Sequence, residues 1–255
     1  MFGQAVNDQI RAHAAKCFPE ESCGLVAGGI FYPCRNSHPD RRYQFRIAPE
    51  DYARIENLHG SIQGVAHSHC HESGQIKNHF PSKMDQEEQI KSAIPWALTF
   101  VFKGAPREVV WWGDQVPIAP LWGRPFVYGV WDCYALVRDK FNLDHGIILP
   151  QWPREYGWWE AEGGKPAQNL YVDHFRDMGF LPVEKPEQVD DILIMTVPKK
   201  FESPNHLALY LGNEWIGHHL EPHRASDVKL SLREPIHRWM GYVSHVVRHK
   251  DLFRQ

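Results

Sequence analysis

The chain has 255 residues, of which 43% are hydrophobic and 23% are charged, and its formal net charge is −3. This composition is that of a globular protein with one large domain or two of ordinary size, and it excludes wholesale disorder. A slightly negative net charge gives no overall positive potential that would attract nucleic acid. No apolar run approaches the roughly 20 residues of a transmembrane helix.

The first 112 residues alternate between helical and strand patterns. Phe2, Val6 and Ile10 recur at helical spacing, which predicts an amphipathic helix near residues 4–16. Further helices are predicted at 51–59 and, after Ser82 as the N-terminal cap, at 85–93; a strand with a turn is predicted at 23–30, and strands at 61–69, 98–103 and 107–112. The last two strands flank a predicted turn at residues 104–106.

Residues 113–123 contain two prolines, two glycines and no clear period, which is typical of a domain boundary. We therefore expect a first domain at 1–112, a linker at 113–122 and a second domain at 123–255. Within the second domain, helices are predicted at 133–141 and 169–178, a long loop at 149–165, and strands at 191–197, 206–211, 214–220 and 242–248. This mixture predicts an α+β, or mixed α/β, fold class.

Cysteine and histidine are the residue types in this sequence that most suggest metal binding or catalysis. The segment Met1–Ile10 lacks the order of a secretory signal, so we expect folding in the cytosol and five free thiols. Four cysteines lie in the first third, and Cys133 stands alone in the remainder. Sixteen histidines are many for this length, and imidazole is both the commonest metal ligand and the commonest general base.

His67 and His69 lie near the end of a predicted strand, separated by one residue. Because strand side chains alternate, both imidazoles point to the same side. Asp85, at the start of the next helix, supplies a third ligand for one cation. Three protein ligands leave the fourth zinc position for water, which is the arrangement of a catalytic zinc site.

Three segments, Pro19–Leu25, His67–His69 and Ser82–Asp85, together resemble the MPN/JAMM metallopeptidase family, whose pattern is an upstream Glu, His-x-His and Ser-x-x-Asp. The resemblance covers roughly residues 1–112. It implies one Zn²⁺ bound by the two histidines and the aspartate, with Glu21 rather than Glu20 as the general base. It also implies that Ser82 stabilises the oxyanion.

The segment after the histidine pair departs from that family. Cys70 stands where the family usually has proline, and the longer loop that follows carries His71 and His79. Two other ligand sets therefore remain open: a three-histidine site with His71, or a site in which Cys70 binds the metal. A retained fold with a poor or empty metal site is the further alternative.

Cys133 opens the predicted helix of the second domain, where the helix macrodipole favours a thiolate. His206 begins a strand, from which its imidazole can face the helix terminus as a base. His218, in the next strand, can sit beside His206 and hold its tautomer. A lone cysteine is more often a small buried apolar residue.

The segments Gly123–Val137 and Asn205–Gly212 resemble the nucleophile and histidine motifs of NlpC-type cysteine peptidases. The resemblance covers about residues 123–255. It implies a papain-like fold and a Cys-His-His site that cleaves amide bonds in peptidoglycan stem peptides, with His218 as the third polar residue and His219 as its alternative. Phe126 departs from the tyrosine that many members have there.

The two domains in this order resemble the tail-tip proteins of lambda-like phages. That resemblance implies a hydrolase assembled in the host cytoplasm, carried in the virion tail tip and acting in the periplasm. Its partners would be other tail-tip proteins and a peptidoglycan peptide substrate, with no nucleic acid. The alternative is a tail-assembly scaffold with vestigial peptidase sites.

Overall fold

A computed structural model describes residues 2–70, 79–163, 165–222 and 227–253. The chain divides into two compact units, Met1–Pro117 and Ile118–Gln255. The predicted domain limits at residues 112 and 123 stay predictions. No helix in the described ranges is both long and apolar enough to cross a membrane.

The first unit consists of one mixed sheet with three helices. The helices are α1 (Gln4–Cys17), α2 (Pro49–His59) and α3 (Lys83–Ser92), and the strands are β1 (Cys23–Ala27), β2 (Ile30–Cys34), β3 (Gly64–Cys70), β4 (Trp96–Phe102), β5 (Ala105–Pro106) and β6 (Val110–Trp112). The strand order is β2-β1-β3-β4-β5, with β6 also paired to β4. Only β3 and β4 among these described strands run parallel, joined by the crossover that contains α3.

Helix α1 covers one face of this sheet. Its buried residues Val6 and Ile10 pack in one cluster with Ala66 of β3, and each fully buried aliphatic side chain contributes about 1.5–3 kcal/mol. Gly24 of β1 faces the ring of Phe31, where an added β-carbon would lie 2.4 Å from the ring and 2.6 Å from the Tyr32 carbonyl. Strand pairing of β1 with β2 at this point therefore requires glycine.

Within the described residues, the second unit consists of an antiparallel sheet, two α-helices and three short 3₁₀ helices at Ile236–Arg238, Met240–Tyr242 and Lys250–Leu252. The α-helices are α4 (Cys133–His145) and α5 (Leu170–Phe175), and the strands are β7 (Phe180–Val183), β8 (Ile192–Met195), β9 (His206–Gly212), β10 (Trp215–His218), β11 (Leu232–Pro235) and β12 (Val243–His249). The strand order is β11-β10-β9-β8-β12-β7. Helix α4 packs against β9, and Cys133 at its N-terminus interacts with the backbone of Leu207, the second residue of that strand.

The caps of α4 explain where this helix begins and ends. The side chain of Asp132 accepts a hydrogen bond from the backbone amide of Ala135 at 2.9 Å, which satisfies a donor that has no partner within the helix. Gly146 ends the helix in the left-handed conformation, with φ of 66°. The predicted end at residue 141 was one turn early.

The predicted fold class is confirmed, because both units combine helices with β-sheet. Two local predictions were wrong. Ala105 and Pro106, predicted within a turn, form β5, because the chain already turns at Lys103 and Gly104, both with positive φ. The helix predicted to reach residue 178 ends at Phe175, since the following residues form a turn.

Candidate functional site

The face of β3 opposite α1 carries the first candidate site. Strand alternation places His67 and His69 on this face, with their Nε2 atoms 3.3 Å apart. Asp85 approaches both rings: Oδ1 lies 3.3 Å from Nε2 of His67, and Oδ2 lies 3.3 Å from Nε2 of His69. The three buried side chains form a group that could hold a metal ion.

Ser82 brings Asp85 to the histidines through a reciprocal capping box. The backbone amide of Asp85 donates to Oγ of Ser82 at 3.1 Å, while the amide and hydroxyl of Ser82 both donate to Oδ2 of Asp85 at 2.7 Å. The predicted cap is therefore present. The oxyanion role of Ser82 stays a prediction, and its hydroxyl is engaged by Asp85 in this structure.

Burial and mutual charge set the protonation states here. Burial lowers the pKa of His67, which favours the neutral imidazole that can bind a metal. Burial acts to raise the pKa of Asp85, but the two histidines outweigh it and hold that pKa well below its ordinary value. Burial raises the pKa of Glu21 to about 8, with His69 opposing the shift and Asp85 adding to it.

Hydrogen bonds on the face of the sheet away from His67 and His69 connect the segment that contains Glu21 to the histidine strand. Ser68, the middle residue of the His-x-His motif, accepts hydrogen bonds from the backbone amide of Ser22 at 2.8 Å and from its hydroxyl at 3.0 Å. The amide of Ser68 in turn donates to the Ser22 carbonyl at 3.0 Å. These bonds continue the β1–β3 pairing by one residue beyond Cys23, and Glu21, the next residue, interacts electrostatically with His69.

One alternative ligand, Cys70, lies on the other face of the sheet. Cys70 lies on the α1 face with Ala14 and Val101, away from the histidine pair, and its thiol donates to the Glu20 carbonyl at 3.2 Å. Strand alternation therefore argues against Cys70 as a ligand. His71 lies outside the described residues, so the three-histidine site stays a prediction.

Aromatic rings surround His67, and no sequence motif indicated that they would meet there. Phe45 stacks on His67 with ring centroids 4.5 Å apart, and Trp96 and Trp112 approach the same imidazole edge to face. His79, the other histidine of the loop, stacks on Phe100 instead. The three aromatic rings bury His67 and account for the desolvation that lowers its pKa.

Cys133 is the first residue of α4 and the centre of the second candidate site. Its Sγ lies 3.4 Å from the hydroxyl of Tyr171. Burial raises the pKa of the thiol to about 12, Asp132 adds to the shift, and Tyr171, Arg154 and the Leu207 backbone oppose it. The raised pKa argues against the expected resting thiolate, which stays a prediction, because loss of solvent opposes the favourable end of the helix.

His206 and His218 lie together in the same unit. Nε2 of His206 lies 3.0 Å from Nδ1 of His218, and Nε2 of His218 lies 2.7 Å from Oε1 of Glu234. Burial lowers the pKa of both imidazoles. The edge of the His218 ring meets Trp239, with centroids 4.6 Å apart.

The thiol and the first imidazole are neighbours without a hydrogen bond. Within the described ranges, the thiol of Cys133 interacts with Tyr171 and with the backbone of Leu207, the residue that follows His206. The structure therefore brings His206 and His218 into contact and places Cys133 at the adjoining backbone. The catalytic roles of all three residues stay predictions, and His219 instead lies 3.3 Å from the Lys229 carbonyl through its Nε2.

A buried ion pair supports the helix start, and the sequence analysis missed it. The guanidinium of Arg154 contacts the carboxylate of Asp132 and lies over the rings of Tyr128 and Tyr134, at 5.1 and 5.3 Å. Asp132 also accepts a bond from the Gly129 amide at 2.7 Å. The position of Asp132 before Cys133 was a usable signal, whereas the loop sequence around Arg154 gave none.

Comparison with known proteins identifies both domains. The family described as prokaryotic homologs of the JAB domain matches residues 3–113, and the NlpC/P60 family matches residues 123–243. "Tail tip assembly protein K" of Escherichia phage N15 is 33% identical over 254 residues, which are 98% of this chain and 96% of that protein. The chain belongs to the tail tip assembly protein K family.

A second member of the protein K family shares part of this length. "Tail tip assembly protein K" of Escherichia phage lambda is 34% identical over 175 residues, which are 68% of this chain and 77% of that protein. The crystal structure of an NlpC/P60 family protein from Bacillus cereus is 13% identical, with a TM-score of 0.33, and covers 60% of this chain and 50% of that one. The predicted order of a JAB-like and an NlpC-type domain is confirmed by the family matches.

Proposed function

We propose that this chain is a phage tail tip hydrolase whose second domain cleaves peptide bonds in the stem peptides of peptidoglycan. Membership of the protein K family and the NlpC/P60 match support a peptidase in a tail tip. The observation that carries the proposal is the buried His206–His218 contact of 3.0 Å beside the start of α4, where Cys133 lies. A buried imidazole pair next to a thiol is the arrangement of a base with its orienting group.

In the proposed reaction, Cys133 is the nucleophile and His206 is the base. Nδ1 of His206, the ring nitrogen that does not face His218, takes the thiol proton as sulfur attacks the amide carbonyl. The same nitrogen returns the proton to the departing amine, and a water activated by His206 then hydrolyses the thioester. Substrate binding has to move the thiol from Tyr171 towards His206, since the thiol rests against Tyr171.

We further propose that the first domain binds one Zn²⁺ through His67, His69 and Asp85. The Nε2 atoms of the two histidines lie 3.3 Å apart, and each lies 3.3 Å from a different carboxylate oxygen of Asp85, so two imidazoles and one carboxylate, a ligand set typical of zinc, converge on one place. An ion held by these three residues would supply a polarised water for hydrolysis. Glu21 is the proposed base, and Ser82 steadies the oxyanion after its hydroxyl leaves Asp85.

The proposed setting follows the family. We infer assembly in the host cytoplasm with other tail tip proteins as partners, followed by transport in the virion tail and action on the wall in the periplasm. The family relatives are named for tail tip assembly, which supports this setting. Nucleic acid is not a proposed partner.

A second candidate function is a tail assembly scaffold with vestigial peptidase sites. The observation that favours it is the resting state of Cys133, whose thiol is buried against Tyr171 and whose pKa is about 12. A scaffold needs the fold of both domains but neither the thiol nor the metal.

Digestion of isolated sacculi distinguishes the two candidates. The full chain should release stem-peptide fragments, detected by mass spectrometry, and Cys133→Ala should release none. His206→Ala should be nearly as damaging, while His218→Ala should cost less, because His218 only orients the base. Cys17→Ala, which changes a cysteine in the other unit, is the matched control.

Metal dependence separates the two sites. Chelation should leave wall cleavage intact, and cleavage that survives Cys133→Ala but disappears with chelator would move the chemistry to the first domain. Release of no fragments by the wild type, combined with normal phage assembly by Cys133→Ala, would establish the scaffold. Zinc analysis should find about one ion per chain, none in His67→Ala/His69→Ala and an unchanged content in the exposed control His237→Ala.

A further inference from the structure

The hydrogen-bonded chain from His206 does not end at His218. Nε2 of His218 lies 2.7 Å from Oε1 of Glu234, a residue of β11 that belongs to neither of the recognised motifs. The His218 side chain is fully buried, while the Glu234 side chain is 18% exposed. Oε2 of Glu234 lies 3.6 Å from the guanidinium of the exposed Arg238.

The chemistry of the three groups fixes where each proton lies. An ionised carboxylate only accepts hydrogen bonds, so Nε2 of His218 must carry the proton that it shares with Glu234. A neutral imidazole with a proton on Nε2 has its lone pair on Nδ1, so His218 accepts from Nε2 of His206. The neutral ring of His206 then keeps its lone pair on Nδ1.

We propose that Glu234 is a positioning residue that fixes both histidines as Nε2–H tautomers and thereby leaves Nδ1 of His206 as the base. The catalytic meaning of this assignment rests on the proposed function. The assignment of tautomers itself needs only the two contacts, 3.0 and 2.7 Å, and the two neutral rings.

Packing alone does not perform this selection. Trp239 lies against the edge of His218 and also approaches His206, with centroids 4.6 and 6.3 Å away, so the rings keep their places without the carboxylate. An aromatic ring does not distinguish Nδ1–H from Nε2–H at the far side of the imidazole. Removal of Glu234 should therefore release the tautomers while leaving the fold intact.

Imidazole ¹⁵N spectra of the full chain test the assignment directly, because a protonated and a lone-pair ring nitrogen have different shifts. The wild type should show Nε2–H alone on His206 and His218, whose signals are identified by their loss in His206→Gln and His218→Gln. Glu234→Leu should give a mixture of tautomers, whereas Glu234→Gln, which keeps an acceptor oxygen, should restore the wild-type pattern. Arg238→Ala, which removes the neighbour of the carboxylate but not the acceptor, is the control.

Kinetics on stem peptides give the second reading. Glu234→Leu should lower kcat about 10- to 100-fold with KM unchanged, since a wrong tautomer removes the base and not the binding site. A proton on Nδ1 of His206 in the wild type, or unchanged tautomers in Glu234→Leu, would overturn the proposal. Failure of the proposed function is a separate result: the wild type would then release no fragments, or Cys133→Ala would retain cleavage, whatever the ¹⁵N spectra show.

Discussion

Replacing Asp132 by asparagine tests whether the Asp132–Arg154 ion pair at the start of α4 stabilises the second unit. One carboxylate caps α4, accepts a bond from the Gly129 amide and contacts the buried guanidinium of Arg154. Burial acts to raise the pKa of Asp132, but Arg154 and the two backbone amides outweigh it and keep the carboxylate ionised. Asparagine retains an acceptor for the cap and removes the charge.

The expected cost follows from these contacts. Removing one partner of a buried ion pair costs about 3–5 kcal/mol, because the remaining charge is left without compensation. The side chains of Asp132 and Arg154 are only 2% and 3% exposed, which places the pair in that class. Asp132→Asn should therefore destabilise the second unit by about 3–4 kcal/mol, and Asp132→Ala by about 1 kcal/mol more through loss of the cap.

Hydrogen exchange of the full chain, read by mass spectrometry on peptides of α4 and β9, measures this loss within one unit. Peptides of β3 should not change, and the exposed substitution Asp173→Asn is the matched control. The double variant Asp132→Asn/Arg154→Met should recover part of the loss, since it removes the stranded charge. A cost below about 1 kcal/mol for Asp132→Asn, or a larger cost for the double variant, would refute the reasoning.

Three further predictions concern other parts of the chain. Gly24→Ala should destabilise the first unit by about 1–3 kcal/mol in thermal unfolding, because its β-carbon would lie 2.4 Å from an aromatic ring, whereas Gly3→Ala meets nothing within 4 Å. Burial lowers the pKa of His219 to about 4. Between pH 6.5 and 4, this imidazole therefore binds a proton in the unfolded chain but stays neutral in the folded chain. The free energy of unfolding should then fall by up to about 1.4 kcal/mol per pH unit from pH 6.5 to 4. Urea unfolding at several pH values should show that His219→Gln loses less stability per pH unit than the wild type. Without substrate, iodoacetamide should label Cys17 faster than Cys133, because Cys133 is the more deeply buried thiol. Faster labelling of Cys133 would instead indicate the resting thiolate that its place at a helix start favours.

The central strands could be predicted from the sequence, whereas four edge strands could not. Strands β3 and β9 have long apolar or alternating runs, and each was predicted within three residues of its ends. The strands that were missed or taken for a turn each contain one proline: Pro33 in β2, Pro106 in β5, Pro182 in β7 and Pro235 in β11. Proline is tolerated at sheet edges, where its missing amide breaks no ladder bond, and the same residue weakens the strand pattern in the sequence.

The candidate site shows the same division between local and distant information. The common face of His67 and His69 followed from strand alternation, and the cap at Ser82 followed from its spacing to Asp85. The partners that set protonation were not predictable, because tertiary contacts supply them: Tyr171 is 38 residues from Cys133, and Glu234 is 16 from His218. Burial of Cys133 was likewise invisible in a motif that fixes only its place at a helix start.

The bonds between Ser22 and Ser68 have a consequence for how the first domain can vary. Glu21 precedes one of these serines, and the other separates His67 from His69, so a proposed base and two proposed ligands are fastened together from behind the sheet. A shift of β1 against β3 would therefore change the position of Glu21 relative to both histidines at once, and could not adjust one of these distances alone. Ser68, the middle residue of His-x-His, therefore fixes the spacing between Glu21 and the two histidines. Ser68→Ala should loosen Glu21 relative to the histidines without altering any side chain that faces the proposed metal site.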